Sequence, residues 1–235
     1  MMGSDMSMES GNKAMGDRGR RRWLGHCSAL ALAAAAGGSF AAPAAAPPKL
    51  LVVGDSMSAE YGLRRGAGWV ALLEQRLAQE KIAASVVNAS ISGDTTSGGR
   101  SRLPALLAQH GPTHVVLELG GNDALRGLPL AQTQANLAEM ARAARGAGAQ
   151  VVIVGMQVPP NYGRQYGNDF AALFATVARS EKAALVPFLL AGVADRPDAE
   201  QWFQPDRIHP NERAQPRMLD NVWPTLRPLL APARR

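Results

Sequence analysis

From Lys49 onward the chain alternates between short apolar runs and longer stretches in which apolar residues recur every three or four positions. The runs are Leu50 to Val53, Ser85 to Asn88, His114 to Leu119, Val151 to Gly155 and Leu185 to Phe188. Their length and β-branched content predict buried strands. Between them Trp69, Leu72, Leu73 and Leu77 repeat at helical spacing, as do Leu103, Leu106 and Leu107, and then Leu137, Met140, Ala141 and Ala144. A fourth set is Tyr166, Phe170, Leu173, Phe174 and Val177. The last runs from Met218 to Leu230, where Pro216 and Pro224 are expected to start or kink the helix. Strand and helix alternating in this way predict an α/β fold, a three-layer doubly wound sandwich around a five-stranded parallel sheet. No internal repeat and no second domain is evident.

The first 47 residues follow another pattern. Arg18 and Arg20 to Arg22 precede Trp23-Leu24, then an Ala/Leu run from Ser28 to Ala36, then small residues and proline. A basic region, a short apolar segment and small residues predict a secretory signal peptide over 1–47, cleaved between Ala41 and Ala46, with the domain at 48–235. Arg20-Arg21-Arg22-Trp23-Leu24 resembles a twin-arginine signal, which leaves the export route open. The expected location is periplasmic or secreted. Cys27, the single cysteine of the chain, leaves with the leader, so no disulfide is expected.

Without the leader the formal charge falls from +6 to +4, with 20 basic and 16 acidic residues. The excess is dispersed and lacks interleaved aromatics, which argues against nucleic acid as a partner. No apolar run is long enough to span a membrane unaided, so no stable membrane insertion is expected.

Three strands end in polar or glycine-rich text that a parallel sheet must bring to one edge, where ligands bind. They are Gly54-Asp55-Ser56, Asn88-Ala89-Ser90-Ile91-Ser92-Gly93-Asp94-Thr95 and Glu118-Leu119-Gly120-Gly121-Asn122-Asp123. Ser56 fits a nucleophile or a plain helix cap. A serine needs a base and a group that orients the base. His26 lies in the leader, and His110 and His114 bracket the wrong end of the third strand. His209 remains, in a loop that can return over the edge, with Asp206 three residues earlier; a surface histidine beside capping residues is the alternative. Gly93 and Asn122 can offer donors to a developing oxyanion, or be turn residues.

Gly-Asp-Ser-Met-Ser, Asn-Ala-Ser-Ile-Ser-Gly-Asp-Thr, Glu-Leu-Gly-Gly-Asn-Asp and Asp-Arg-Ile-His-Pro, in this order, resemble the sequence blocks of the GDSL/SGNH hydrolases. The likeness is greatest to the bacterial periplasmic branch of acyl-CoA thioesterases, lysophospholipases and arylesterases, and it runs from about Leu50 to Leu230. It implies a flavodoxin-like sandwich, Ser56 as nucleophile, His209 as base and Asp206 as its orienter. It also implies an oxyanion hole from the Ser56 and Gly93 N–H groups and the Asn122 amide. Ala124, Leu125 and Arg126, in a loop running to Pro129, and Val158 are expected to border the acyl groove. No metal and no organic cofactor is implied.

The resemblance makes the expected partner a small-molecule acyl ester or thioester, and the protein a monomer. A small-acyl or carbohydrate esterase on the same fold is an alternative, as is a non-catalytic periplasmic binder of acyl ligands. The Gly-x-Ser-x-Gly elbow of α/β-hydrolases is absent around Ser56. One position departs from the resemblance: Glu60 stands where the family has a small residue, commonly glycine. Its carboxylate is expected either to repel anionic substrates such as acyl-CoA or to point to water without effect.

Overall fold

The computed structural model describes residues 46–230. The predicted leader lies almost wholly outside the described residues. Five strands, β1 (Lys49–Gly54), β2 (Ser85–Asn88), β3 (His114–Glu118), β4 (Gln150–Val154) and β5 (Ala184–Val186), form one parallel sheet in the order β2-β1-β3-β4-β5. The register pairs Leu51 with Val87 on one side and Val115 on the other. β1, β3 and β4 are buried on both faces, which is why their sequences run apolar without alternation.

Helices α1 (Trp69–Gln79) and α6 (Gln215–Leu226) pack together in one layer. α2 (Thr96–His110), α4 (Leu130–Gly146) and α5 (Arg164–Ser180) form the other. Each inserts the periodic residues seen in the sequence; Trp69, Phe170, Phe174, Leu137 and Leu103 are among the fully buried side chains. Pro216 opens α6, where no intrahelical donor is needed. Pro224 lies within that helix, which continues past it to Leu226 before a 3₁₀ turn at Arg227–Leu230.

A short helix, α3 (Gly121–Leu125), occupies the stretch expected to be loop. Gly120, at φ 123°, redirects the chain after β3, and Ala124 N–H then closes a turn onto the Gly120 carbonyl at 3.1 Å. The strand order reverses between β1 and β3, and the crevice outside the carboxyl ends of strands at such a reversal is where this class of sheet binds ligands. No described helix is long and apolar enough to cross a membrane.

Candidate active site

β1 ends on Gly54, and the chain turns at once. Ser58 and Ala59 N–H groups donate back to the Asp55 carbonyl, and the Asp55 carboxylate accepts from Met57 N–H at 3.0 Å, so Ser56 sits at the head of a tight turn. A Cβ on Gly54 would lie 2.7 Å from Glu118 Oε2 and 2.8 Å from Ser58 Oγ. Only glycine allows β1 to hand over to the turn this close to β3.

The partner loop arrives between β5 and α6. Phe203 and Pro210 form an antiparallel bridge, Gln204 N–H donates to the His209 carbonyl at 2.7 Å, and Arg207 takes the left-handed conformation at the tip. This hairpin fixes His209, and Gln204 ties it to the first loop by donating to the Tyr61 carbonyl at 2.8 Å. His209 Nε2 then lies 2.9 Å from Ser56 Oγ, and its Nδ1 lies 2.7 Å from Asp206 Oδ2. A carboxylate on Nδ1 selects the tautomer with the proton there, which leaves Nε2 free to accept from the serine hydroxyl.

Asp206 Oδ1 also accepts from the Ile208 and His209 amides at 2.9 and 3.0 Å. Burial works against its charge, but these amides and the imidazole outweigh it and draw the carboxyl down to about 2. His110 and His114 stay at the opposite end of the sheet. His114 is buried between Thr113 Oγ1 and the Leu229 carbonyl, and burial lowers its proton affinity.

Gly93 has φ 80°, a conformation that glycine adopts without strain, and it presents an exposed backbone. Neither the Gly93 nor the Ser56 N–H donates to any partner among the described residues. Two free amides beside a hydroxyl are what a developing oxyanion requires. The Asn122 amide is differently placed: it donates to Asp55 Oδ2 and to the Asp94 carbonyl, both at 3.0 Å. It stands at the site but must release one of these bonds to serve a substrate, as such contacts often tighten only on binding.

Of the residues expected to border an acyl groove, Leu125 and Arg126 are exposed and Val158 is half-buried. Val158 lines an open groove with Pro159, Pro160, Arg164 and Gly167 at the entrance to α5. Arg126 Nη2 donates to the Gly93 carbonyl at 2.8 Å, so it braces the glycine loop as well. Ala124 departs from expectation. It is only 2% exposed, because the short helix turns it into the core, and it offers no surface to a substrate.

Glu60 departs too. Its carboxylate accepts from Gly66 N–H at 3.1 Å and Gly68 N–H at 2.9 Å, folding onto its own loop, and its φ of 59° accounts for the glycine usual there. It is bonded into its own loop.

The model of the GDSL-like lipase/acylhydrolase family matches residues 52–215, spanning every loop just described. The chain belongs to that family. As a GDSL-like acylhydrolase it is a serine ester hydrolase. Esterase TesA of Pseudomonas aeruginosa is 58% identical over 181 residues, covering 77% of this chain and 89% of its own length. The thioesterase 1/protease 1/lysophospholipase L1 of Escherichia coli K12 is 44% identical over 181 residues, 77% and 84% of the two chains. Among solved structures, the psychrotrophic esterase EstA of a Pseudoalteromonas species, inhibited by monoethylphosphonate, superposes with a TM-score of 0.73 at 37% identity, covering 77% of this chain and 98% of that one.

Several residues that hold the acylhydrolase site together escaped the sequence reading. Glu118, fully buried, accepts from Ser58 Oγ at 2.7 Å and from Asp55 N–H at 3.3 Å, and Trp69 Nε1 donates to the same Ser58 Oγ. Burial, and then the charge of Asp55, push the Glu118 carboxyl well above its ordinary range. Asp55 itself is raised by burial to about 6, against the opposing bonds from Met57 and Asn122. Arg102 reaches from α2 to the Gly54 carbonyl, the Ala89 carbonyl and Asp94 Oδ2. Behind Asn122, buried Asp123 accepts from Thr96 and Thr133, and Asn136 donates to Thr96. Tyr61 lies with its ring 4.4 Å from that of His209. Among the described residues no group of three or more His, Cys, Asp and Glu could hold a metal ion.

Proposed function

We infer that this protein hydrolyses carboxylic esters and thioesters of acyl chains through an acyl-enzyme on Ser56. The observation that carries the reading is the relay from Ser56 Oγ through His209 to Asp206, at 2.9 and 2.7 Å, beside two amides without partners among the described residues. Ser56 Oγ bonds to the substrate carbonyl carbon while its proton passes to His209 Nε2. The oxygen that becomes negative is received by the Ser56 and Gly93 N–H groups and by the Asn122 amide once it leaves Asp55 or Asp94. Collapse breaks the bond to the alcohol or thiol, which takes the proton from Nε2 as it departs. Water then repeats the sequence and frees the acid. Asp206, ionised down to about 2, holds the imidazole in place throughout.

The groove at Val158 and the exposed Leu125 favour acyl chains over sugars as the group lying beside the serine. The basic and apolar text of residues 1–47 supports export to the periplasm or beyond. The deciding experiment is labelling with a fluorophosphonate beside a hydrolysis panel of aryl esters, acyl-CoAs and lysophospholipids of graded chain length, with Ser56→Ala in parallel. Labelling and turnover that both vanish in Ser56→Ala are expected. Labelling without turnover of any ester would instead describe a binder, and labelling that survives Ser56→Ala would place the nucleophile elsewhere.

A further inference from the structure

The large apolar side chains that face solvent all lie on segments that build the site. Among the described residues they are Tyr61, Ile91, Leu125 and Ile208, at 49%, 53%, 47% and 43% exposure. Three stand in different loops and Leu125 at the end of α3, and every one of those segments carries part of the site. The Tyr61 ring lies 4.4 Å from that of His209. Ile91 precedes Gly93 by two residues, and its N–H donates to the Gly54 carbonyl at 3.0 Å. Leu125 ends the helix that carries Asn122. Ile208 adjoins His209 and donates its N–H to Asp206 Oδ1. Single exposed apolar residues are ordinary on any protein surface, but four drawn from distant parts of the chain to one mouth are not.

The rim is also basic. Arg64 and Arg65 follow Tyr61, Arg126 follows Leu125, and Arg207 precedes Ile208, all of them exposed. The acidic groups nearby are engaged: Glu212 takes Arg64 in a two-pronged pair, Asp94 takes Arg102, Asp206 holds His209, and Glu60 is folded onto its own loop. Arg65 and Arg126 have no carboxylate partner among the described residues, and Arg207 stands 3.6 Å from an equally exposed Glu200. Apolar tips interleaved with arginines suit the boundary of a lipid layer, where guanidinium groups meet phosphates and apolar side chains enter among the first acyl carbons.

We propose that these four apolar side chains, with the arginines between them, seat the protein on a lipid surface bearing anionic headgroups, with the mouth of the site facing the layer. An ester held in the layer then reaches Ser56 without first dissolving in water. The use made of the surface rests on the ester-hydrolase reading; the docking does not.

Flotation of the Ser56→Ala protein with vesicles tests docking without turnover. Vesicles of phosphatidylcholine containing phosphatidylglycerol are expected to carry the protein, and vesicles of phosphatidylcholine alone to carry about tenfold less, with high salt removing the difference. Adding Ile91→Ser and Ile208→Ser together, or Arg65→Glu, is expected to weaken flotation by about tenfold. In the otherwise wild-type protein Arg65→Glu should leave kcat/KM for a short soluble aryl ester within about twofold and lower hydrolysis of micellar lysophosphatidylglycerol by about tenfold, and the isoleucine pair should lower micellar turnover about tenfold more than soluble turnover.

The proposal is overturned if Ser56→Ala floats with neither vesicle, or if both sets of substitutions leave flotation unchanged. It is equally overturned if the isoleucine pair lowers soluble and micellar turnover alike, which would make these side chains walls of the substrate groove. A concentration-dependent dimer that the pair dissolves, without vesicle binding, would make the rim a contact between two copies. Failure of the hydrolase reading is distinguishable, since it would show as a wild-type protein inert on the soluble ester yet still carried by vesicles.

Discussion

Replacing Asp55 with asparagine is expected to slow the enzyme and to make its stability relative to wild type rise as pH climbs through 6. The carboxyl is buried, accepts from Met57 N–H through Oδ1 and from Asn122 through Oδ2. Burial raises its proton affinity from the ordinary 3.8 to about 6. A raised carboxyl binds its proton more tightly folded than unfolded, so its contribution is complete below pH 3.8 and is lost as pH climbs through 6. The gap amounts to about 3 kcal/mol at roughly 1.4 kcal/mol per pH unit. Asparagine does not ionise and has no such loss. Its oxygen can keep the Met57 bond, while its NH₂ meets the Asn122 NH₂, donor against donor, at a cost of about 1 to 3 kcal/mol at every pH. The free energy of Asp55→Asn relative to wild type should therefore improve by about 2 kcal/mol between pH 4, where part of the contribution is already lost, and pH 8, read from urea melts at the two pH values. Without the charge of Asp55 the Glu118 carboxyl is pushed up less, which adds to the difference in the same direction. Turnover of a soluble aryl ester should fall by about 10²-fold, because Asn122 loses the partner that orients it. An equal stability difference at both pH values would refute the claim that burial raises this carboxyl, and an unchanged kcat would refute its hold on Asn122.

Three further substitutions probe the neighbouring groups. Asn122→Ala should lower kcat by about 10²- to 10³-fold while circular dichroism and melting show a folded domain; full activity would remove the side chain from the oxyanion site. Asp206→Asn keeps an oxygen for the Ile208 and His209 amides but turns NH₂ toward Nδ1, favouring the wrong tautomer, so kcat should fall by about 10²- to 10⁴-fold with the hairpin intact. Glu60→Gly gives up the bonds to Gly66 and Gly68 and relieves a left-handed backbone. It is expected to change turnover of aryl esters and acyl-CoAs by the same factor; a selective gain for acyl-CoA would show that the carboxylate reaches the substrate after all.

The sheet was legible because burial on both faces leaves a mark that needs no partner to be seen. β1 at Lys49–Gly54 and β3 at His114–Glu118 are runs that only a covered sheet tolerates, and the boundaries moved by one or two residues. α1 and α5 show their buried faces at helical spacing for the same reason. α3 was hidden, since Gly120-Gly121-Asn122-Asp123 has the composition of a turn. Its five residues become helical because buried Asp123 is held by Thr96 and Thr133, contacts made 27 and 10 residues away. Ala124 followed from the same error: a residue assigned to a loop was given an open face, and a helix turned it inward.

At the site, serine, histidine and aspartate each had an ordinary alternative as caps or surface residues and stood out only as a set carried by the sequence blocks, whereas the groups that hold them in place belong to no such set. Glu118 opened the polar text in which the third strand ends and was given no role of its own; it is fully buried, 63 residues from the Asp55 amide it accepts. Ser58, Trp69 and Arg102 each have an ordinary role on local text and acquire another only when β1, β2 and β3 lie side by side. Glu60 shows the limit most sharply. A charge near the nucleophile in sequence suggested an effect through space, and that inference assumed a direction for the side chain. The direction is set by φ, and at 59° the chain turns the carboxylate back onto the Gly66 and Gly68 amides. A carboxylate engaged by two amides offers an approaching anion less than its place in the sequence suggested.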